Sequence, residues 1–324
     1  MKALHAVVPF VLTLLSLVGC GEAATPPEGH AWLTVTSGTT RALLGVDLRT
    51  DGTALAVGEG GTILVSSDAG KTWKAETSPI TSDLTNVRWH LNGDAFATSR
   101  VGEVLRRTNN RWAVVAYAPG QLPLWRIDAA QDRVLAIGGT YASRETPVVL
   151  TSIDAGRSWS SWTALAQKLR MSPHGFYAYS ASDVVMVGTC GQGSDCRSTT
   201  SVVSLTTLAV SSADACPSMM DVHPVGDSVA VAVGSCIMRS TNRGRGWSQT
   251  SREGTSRLNG VDFLSVTEGV AVGNDGTIEW TTDGGRTWRR ERIAHTNGLY
   301  DVSADPAGGS VIAVGAEGMV LRTN

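Results

Sequence analysis

Apolar residues along the chain come in short runs with no sustained 3.6-residue period, which excludes helical repeat arrays and points to strands. The clearest stretch predicts four of them, Leu43 to Leu48, Thr53 to Gly58, Thr62 to Ser66 and Thr72 to Glu76, separated by Asp-Gly, Glu-Gly-Gly and Asp-Ala-Gly. Those dipeptides and tripeptides supply the positive φ and local hydrogen bonds that tight hairpins need. The chain's 36 glycines fit a succession of such turns.

The four-strand unit recurs. AVGEGGTILVSSDAGKTW (56 to 73) aligns without gaps to AVGNDGTIEWTTDGGRTW (271 to 288), and AVGSCIMRSTNRGRGW (232 to 247) is the same unit with a shorter middle loop. Weaker copies surround LAIGG, VVMVG and AFATS, and AVGAEGMVLRTN closes the chain. The marker glycine, or its substitute, falls at Gly58, Ser99, Gly138, Gly188, Gly234, Gly273 and Gly315, at spacings of 39 to 50 residues. Seven units of that length predict an all-β, seven-bladed β-propeller of four-stranded blades over residues 31 to 324. The seventh unit stops where its fourth strand should begin, and His30 to Val35 carries the Trp with which that strand starts. The N-terminal strand is therefore expected to complete the last blade, hiding the edges of an open array.

Four units carry Ser/Thr-x-Asp/Asn-x-Gly-x-x-Trp, built on Asp68, Asp154, Asn242 and Asp283 with Trp73, Trp159, Trp247 and Trp288. The pattern resembles the Asp-box, or bacterial neuraminidase repeat, whose carboxylate or amide accepts hydrogen bonds from its own turn while Gly supplies positive φ. Trp32 and Trp112 occupy the same place in units without the box, so a periodic Trp set is expected in the core. Recurrence from unit to unit argues a structural role for these aspartates, because a catalytic pair would not repeat.

Ala6 to Val18 is an apolar run of signal-peptide length, too short to span a bilayer. It ends in Leu17-Val18-Gly19-Cys20, which resembles the bacterial lipobox; the resemblance implies a signal peptide over 1–19, a lipid on Cys20 and a membrane tether over 20–30. The absence of Asp at Gly21 favours an outer-membrane address in the cell envelope. A net charge of -2, from 27 Lys+Arg and 29 Asp+Glu, excludes the general basicity of a nucleic-acid binder. No His-Glu-x-x-His motif, phosphate-binding glycine loop or supportable Ser-His-Asp spacing occurs, and no cofactor or metal is implied. In an exported chain the remaining four cysteines are expected to form disulfides. Three pairings are possible, and hairpin symmetry favours Cys190 with Cys196 and Cys216 with Cys236. A four-cysteine zinc site fits poorly, because no Cys-x-x-Cys occurs.

The pattern AVGxxGTIxxSxDGGxTW, repeated over residues 31 to 324, is similar to the photosystem II assembly and stability factor family of seven-bladed propellers. That resemblance implies a non-enzymatic, monomeric protein that binds or helps assemble a partner protein through a basic patch on its loop face. On the face carrying the fourth-to-first and second-to-third strand loops fall Arg41, Arg100, Arg144, Arg170 and Arg257, with His174 and His295 near them. Guanidinium groups grip carboxylates and stack on aromatic rings. The rival class is a glycan binder or glycoside hydrolase, since Asp-boxes also occur in sialidases and glucanases. Its marker, Arg-Ile-Pro, is matched only by Arg126-Ile127-Asp128, and Asp47, Asp128 and Asp262 recur on the first strands of their units.

Overall fold

The computed structural model describes residues 31–323 apart from 131, 141–145, 170, 180–182, 190–199, 205, 206, 208, 209, 214, 215, 217, 251–255, 292, 294 and 295. Seven four-stranded antiparallel sheets form the blades of a propeller. Blade 1 comprises Leu43–Leu48, Ala54–Gly58, Thr62–Ser66 and Lys74–Ala75, numbered here from the central channel outward. The inner strands of blades 2 to 7 are Leu84–Trp89, Leu124–Ala130, Ser172–Ala178, Met219–Pro224, Leu258–Phe263 and Leu299–Asp305. The ring closes as the repeat pattern predicts: Trp32–Val35 is the outer strand of blade 7, with Trp32 opposite Thr323 and Val35 opposite Val320.

Apolar side chains fill the seams between blades. Each of seven core clusters draws on two neighbouring blades, as where Leu55, Val57 and Ile63 of blade 1 meet Leu84, Val87 and Leu105 of blade 2. The marker glycine has a steric cause. A Cβ at Gly58 would lie 2.0 Å from the carbonyl oxygen of Ala42, and at the equivalent positions of blades 3 to 7 it would lie 2.0–2.2 Å from a backbone oxygen.

The outer strands are shorter than the sequence suggests. Lys74–Ala75, Ser160–Ser161 and Ser248–Gln249 each begin one residue after the Trp, because the indole is tied back into the preceding turn. Trp73, Trp159, Trp247 and Trp288 donate Nε1–H to the carbonyl of their own Gly at 3.0–3.3 Å. Within the turn, the Ser66 hydroxyl accepts the Gly70 N–H at 2.9 Å and donates to Asp68, while Asp68 accepts from the backbone and hydroxyl of Thr72. Burial works against the charged form, yet the Thr72 bonds hold Asp68 at about 2. The Asp154 carboxyl is held well below its ordinary value by the Ser158 hydroxyl and N–H and by Ser152. Trp112 and Trp32 reach instead to carboxylates of the preceding blade, Glu76 at 2.8 Å and Glu291 at 2.9 Å.

One short helix, Thr163–Ala166, follows blade 3 and seats Leu165 in the core shared with blade 4. Cys216 and Cys236 are joined by a disulfide with Cα atoms 6.1 Å apart, the pairing that hairpin symmetry favours. Cys190 and Cys196 lie outside the described residues. The bond crosses 20 positions, so Cys216→Ser is expected to lower stability by about 2–3 kcal/mol, read as a shift of the guanidinium midpoint at unchanged slope. An unchanged midpoint would show that the open chain is already held by the hairpin.

Candidate functional site

Every inner strand has a register shift after the residue paired with the marker position, between Leu43 and Gly45 in blade 1 and at the matching place in the other six. Such bulges re-aim side chains. The residues skipped by the pairing, Leu44, Thr85, Trp125, His174, Met220, Asn259 and Tyr300, ring the mouth of the channel on the face of the second-to-third strand loops. With Glu59, Arg100, Arg126 and Arg257 they line an open cavity of about 360 Å³.

Two of the arginines singled out in the sequence meet here. Arg100 lies 3.5 Å from Asp83 and stacks its guanidinium 6.0 Å from the Trp125 ring centroid. Arg257 lines the cavity with no ion-pair partner among the described residues. His174 is buried at the same mouth; burial, reinforced by the charges of Arg257 and Arg126, pushes its imidazole down to about 4. At neutral pH that ring is uncharged, and the field it senses is positive. Arg41 departs from the expected group. Its guanidinium donates to the Gly60 carbonyl at 2.9 Å and it lines a separate hollow with Thr34 to Thr40 and Asn297. The offset is one residue: Arg257 directly precedes its inner strand, whereas Ala42 stands between Arg41 and Leu43. Arg144, Arg170, His295 and Cys20 lie outside the described residues.

Below the mouth the channel narrows to a charged throat. Arg126 bridges blades 5 and 7, with Nη2 2.7 Å from Asp221 and Nη1 3.0 Å from Asp301. Arg88 pairs with Asp47 at 2.9 Å and Asp128 at 3.4 Å. His223 Nδ1 lies 3.0 Å from Asp262. The five carboxylates outnumber the two guanidiniums, and burial pushes Asp47 and Asp262 up to about 6 and raises Asp221. Burial and the Arg88 charge push His223 down to about 4, so the imidazole beside Asp262 is uncharged at neutral pH.

These carboxylates also sew the ring together. Asp47 accepts the Trp89 N–H at 2.6 Å, Asp221 that of Val261 at 3.1 Å, Asp262 that of Ala304 at 2.9 Å and Asp301 that of Val46 at 3.1 Å, each reaching the next blade. Asn86 does the same for Ile127. Glycine makes room: a Cβ at Gly45 or Gly175 would lie 2.8 Å from the Cα of Asn86 or Asp221. Of the aspartates that sequence offered as glycosidase candidates, Asp47 and Asp262 thus hold a neighbouring backbone, while Asp128 accepts the Ala129 N–H of its own strand and pairs with Arg88. Among the described residues no group of three or more His, Cys, Asp or Glu is arranged to hold a metal ion. Asp68, Asp154, Asn242 and Asp283 stand in their turns at the opposite face.

Sequence reasoning missed the mouth ring and the structural part of Arg126. The signal was present in the repeat alignment, as two adjacent columns near the start of the inner strand in which residue type varies from unit to unit, ahead of a column that stays apolar.

No protein-family model matches the chain, and no curated protein matches it. Among solved structures, YCF48 from Cyanidioschyzon merolae is similar with a TM-score of 0.70 and 14% identity, over 91% of this chain and 98% of that one. A structure titled YCF48 bound to D1 peptide gives a TM-score of 0.70 and 18% identity, over 93% of this chain and 96% of that one. The WD40 propeller domain of Doa1 gives 0.67 and 12%, over 91% and 97%. These likenesses are of fold.

Proposed function

We propose that the chain is a non-catalytic propeller, held at an envelope membrane through Cys20, that captures a carboxylate-bearing peptide segment of a partner protein in the mouth of its channel. The observation that carries this reading is the convergence of Arg100, Arg257 and the buried imidazole of His174 around one open cavity. Arg257 offers a guanidinium with no ion-pair partner among the described residues, and the fork of Arg100 is presented over Trp125. Trp125 and Tyr300 add flat apolar surface beside those charges, the composition that grips a short peptide. Support from a similar fold comes from the YCF48 propeller solved with a D1 peptide. Asp47, Asp221, Asp262 and Asp301 of the throat accept backbone N–H groups of the next blade, which supports a structural part for them.

The test is capture from native membranes with the full chain as bait. Arg100→Glu combined with Arg257→Glu is expected to reduce partner recovery about 10- to 100-fold, the range for reversing charges that meet opposite charges. Arg41→Glu, in its separate hollow, is expected to leave recovery unchanged. Equal recovery by the double variant and wild type would overturn the assignment of the mouth.

A further inference from the structure

The two faces of the ring differ, and strand direction says which of them the N-terminal segment joins. Trp32 stands opposite Thr323, the last residue of the third strand of blade 7. In blades 1, 3, 5 and 6 that end of the third strand runs into the Ser/Thr-x-Asp/Asn-x-Gly-x-x-Trp turn. Whatever precedes Trp32 is therefore attached at the face of those turns, opposite the Arg100 and Arg257 cavity.

We infer that this turn face lies against an anionic phospholipid bilayer and so presents the cavity away from it. The inference rests on the tether reading of Cys20. Its first support is where apolar side chains are left bare. Leu91, Ile153 and Val266 are 82%, 70% and 65% exposed, more than any other large apolar side chain described. All three belong to the turn face: Leu91 and Val266 between the first and second strands of blades 2 and 6, Ile153 in the turn of blade 3. The cavity face leaves Tyr117 and Val101 less bare, at 59% and 44%, and binding at the headgroup region scales with the apolar area it buries.

The second support is a groove on the same face beside Trp247, with Arg239 and Arg286 in its lining. Backbone carbonyls fix both guanidiniums, Arg239 by Gly284 at 2.7 Å and Arg286 by Asp283 at 2.7 Å. The turn at this groove carries Asn242 where its relatives carry Asp, which removes a negative charge. The carboxylate of Asp283, beside Arg286, is engaged by Thr281, Thr287 and the Arg286 N–H, and the two fixed guanidiniums suit a phosphodiester headgroup. The third support is reach. The eleven residues from Cys20 to His30 extend at most about 40 Å, so the face they join stays within that distance of the bilayer.

The experiment is hydrogen exchange on the full, lipid-bearing chain in vesicles of phosphatidylethanolamine and phosphatidylglycerol, against the Leu91→Glu, Ile153→Glu, Val266→Glu triple variant. These positions are exposed, so the variant keeps its fold, which its unfolding temperature checks. After correction for intrinsic rates, the loops around 90–94, 152–158 and 265–268 are expected to exchange about fivefold more slowly in wild type. Loops 59–61 and 100–102 of the cavity face are expected to match. Equal exchange of the turn loops in both proteins, or protection of the cavity face, overturns the placement while leaving the tether standing. A chain that does not float with the vesicles overturns the tether reading and the placement with it. Protection that is the same in phosphatidylcholine vesicles removes the headgroup contact from Arg239 and Arg286.

Discussion

Gly156→Ala is expected to destabilise the propeller by about 3–4 kcal/mol and to lower its unfolding temperature by roughly 6–12 °C. Gly156 sits at φ +76 in the turn of blade 3, and a Cβ there would lie 2.3 Å from two ring carbons of Phe96 in blade 2. Backbone strain is the smaller part of the cost, because Ala155, the residue before it, already holds φ 56. The larger part is the ring, which cannot yield. Phe96 is fully buried, edge-on to His90 and Trp159, with the Arg106 guanidinium 5.9 Å from its centroid. A close-packed interior answers an added methyl with off-rotamer side chains or a backbone shift. Gly93→Ala separates the two causes, since Gly93 has φ +89 but no atom within 4 Å of its Cβ position. It is expected to cost about 1 kcal/mol, the strain alone. Calorimetric scans showing similar losses for both variants would remove the blade-to-blade contact from the account.

The same contact shows why part of this molecule is legible in its sequence and part is not. Whatever repeats within a unit can be read by aligning units: the marker glycines, the turn hydroxyl and carboxylate, the Trp, and the closing strand at Trp32. Whatever joins one unit to the next cannot, because each partner lies in another blade. The turn glycine reads as a residue for positive φ; that it also presses on Ile312, Phe96, Val185 or Val231 depends on the second strand of a neighbouring blade. The throat is the extreme case. Its equivalent positions are Gly45, Asn86, Arg126, Gly175, Asp221, Gly260 and Asp301, a set without common chemistry that makes sense only as complementary neighbours around a ring. The mouth was half legible. Arg100 and Arg257 follow from loop placement, but Arg41, one residue further from its strand, turns to a carbonyl of its own blade.

Arg126, read from sequence only as an incomplete sialidase signature, is expected to be among the most costly residues to remove. Its guanidinium is the positive charge that stands between Asp221 and Asp301 in the throat. Arg126→Met keeps much of the stem and deletes the charge, leaving two buried carboxylates uncompensated. Breaking a buried pair in this way costs about 3–5 kcal/mol. The cost depends on pH in a direction that identifies it. Burial already raises the Asp221 carboxyl, and Arg126 opposes that rise, so its loss moves the folded-state value further up. A carboxyl raised in the folded state contributes stability below its unfolded value and loses it as pH climbs through the folded value. The variant's deficit is therefore expected to be largest at pH 7 and above and to shrink toward pH 5. His174 acts in the same sense: Arg126 helps hold it near 4, and freeing it lets the folded variant take up a proton that wild type refuses. Asp47 and Asp262, near 6, titrate in both proteins and cancel in the difference. Denaturant titrations of both proteins at pH 7.5 and 5 read this directly. A deficit that stays constant, or grows on acidification, would mean that Arg126 acts by packing and that the throat carboxylates do not need its charge.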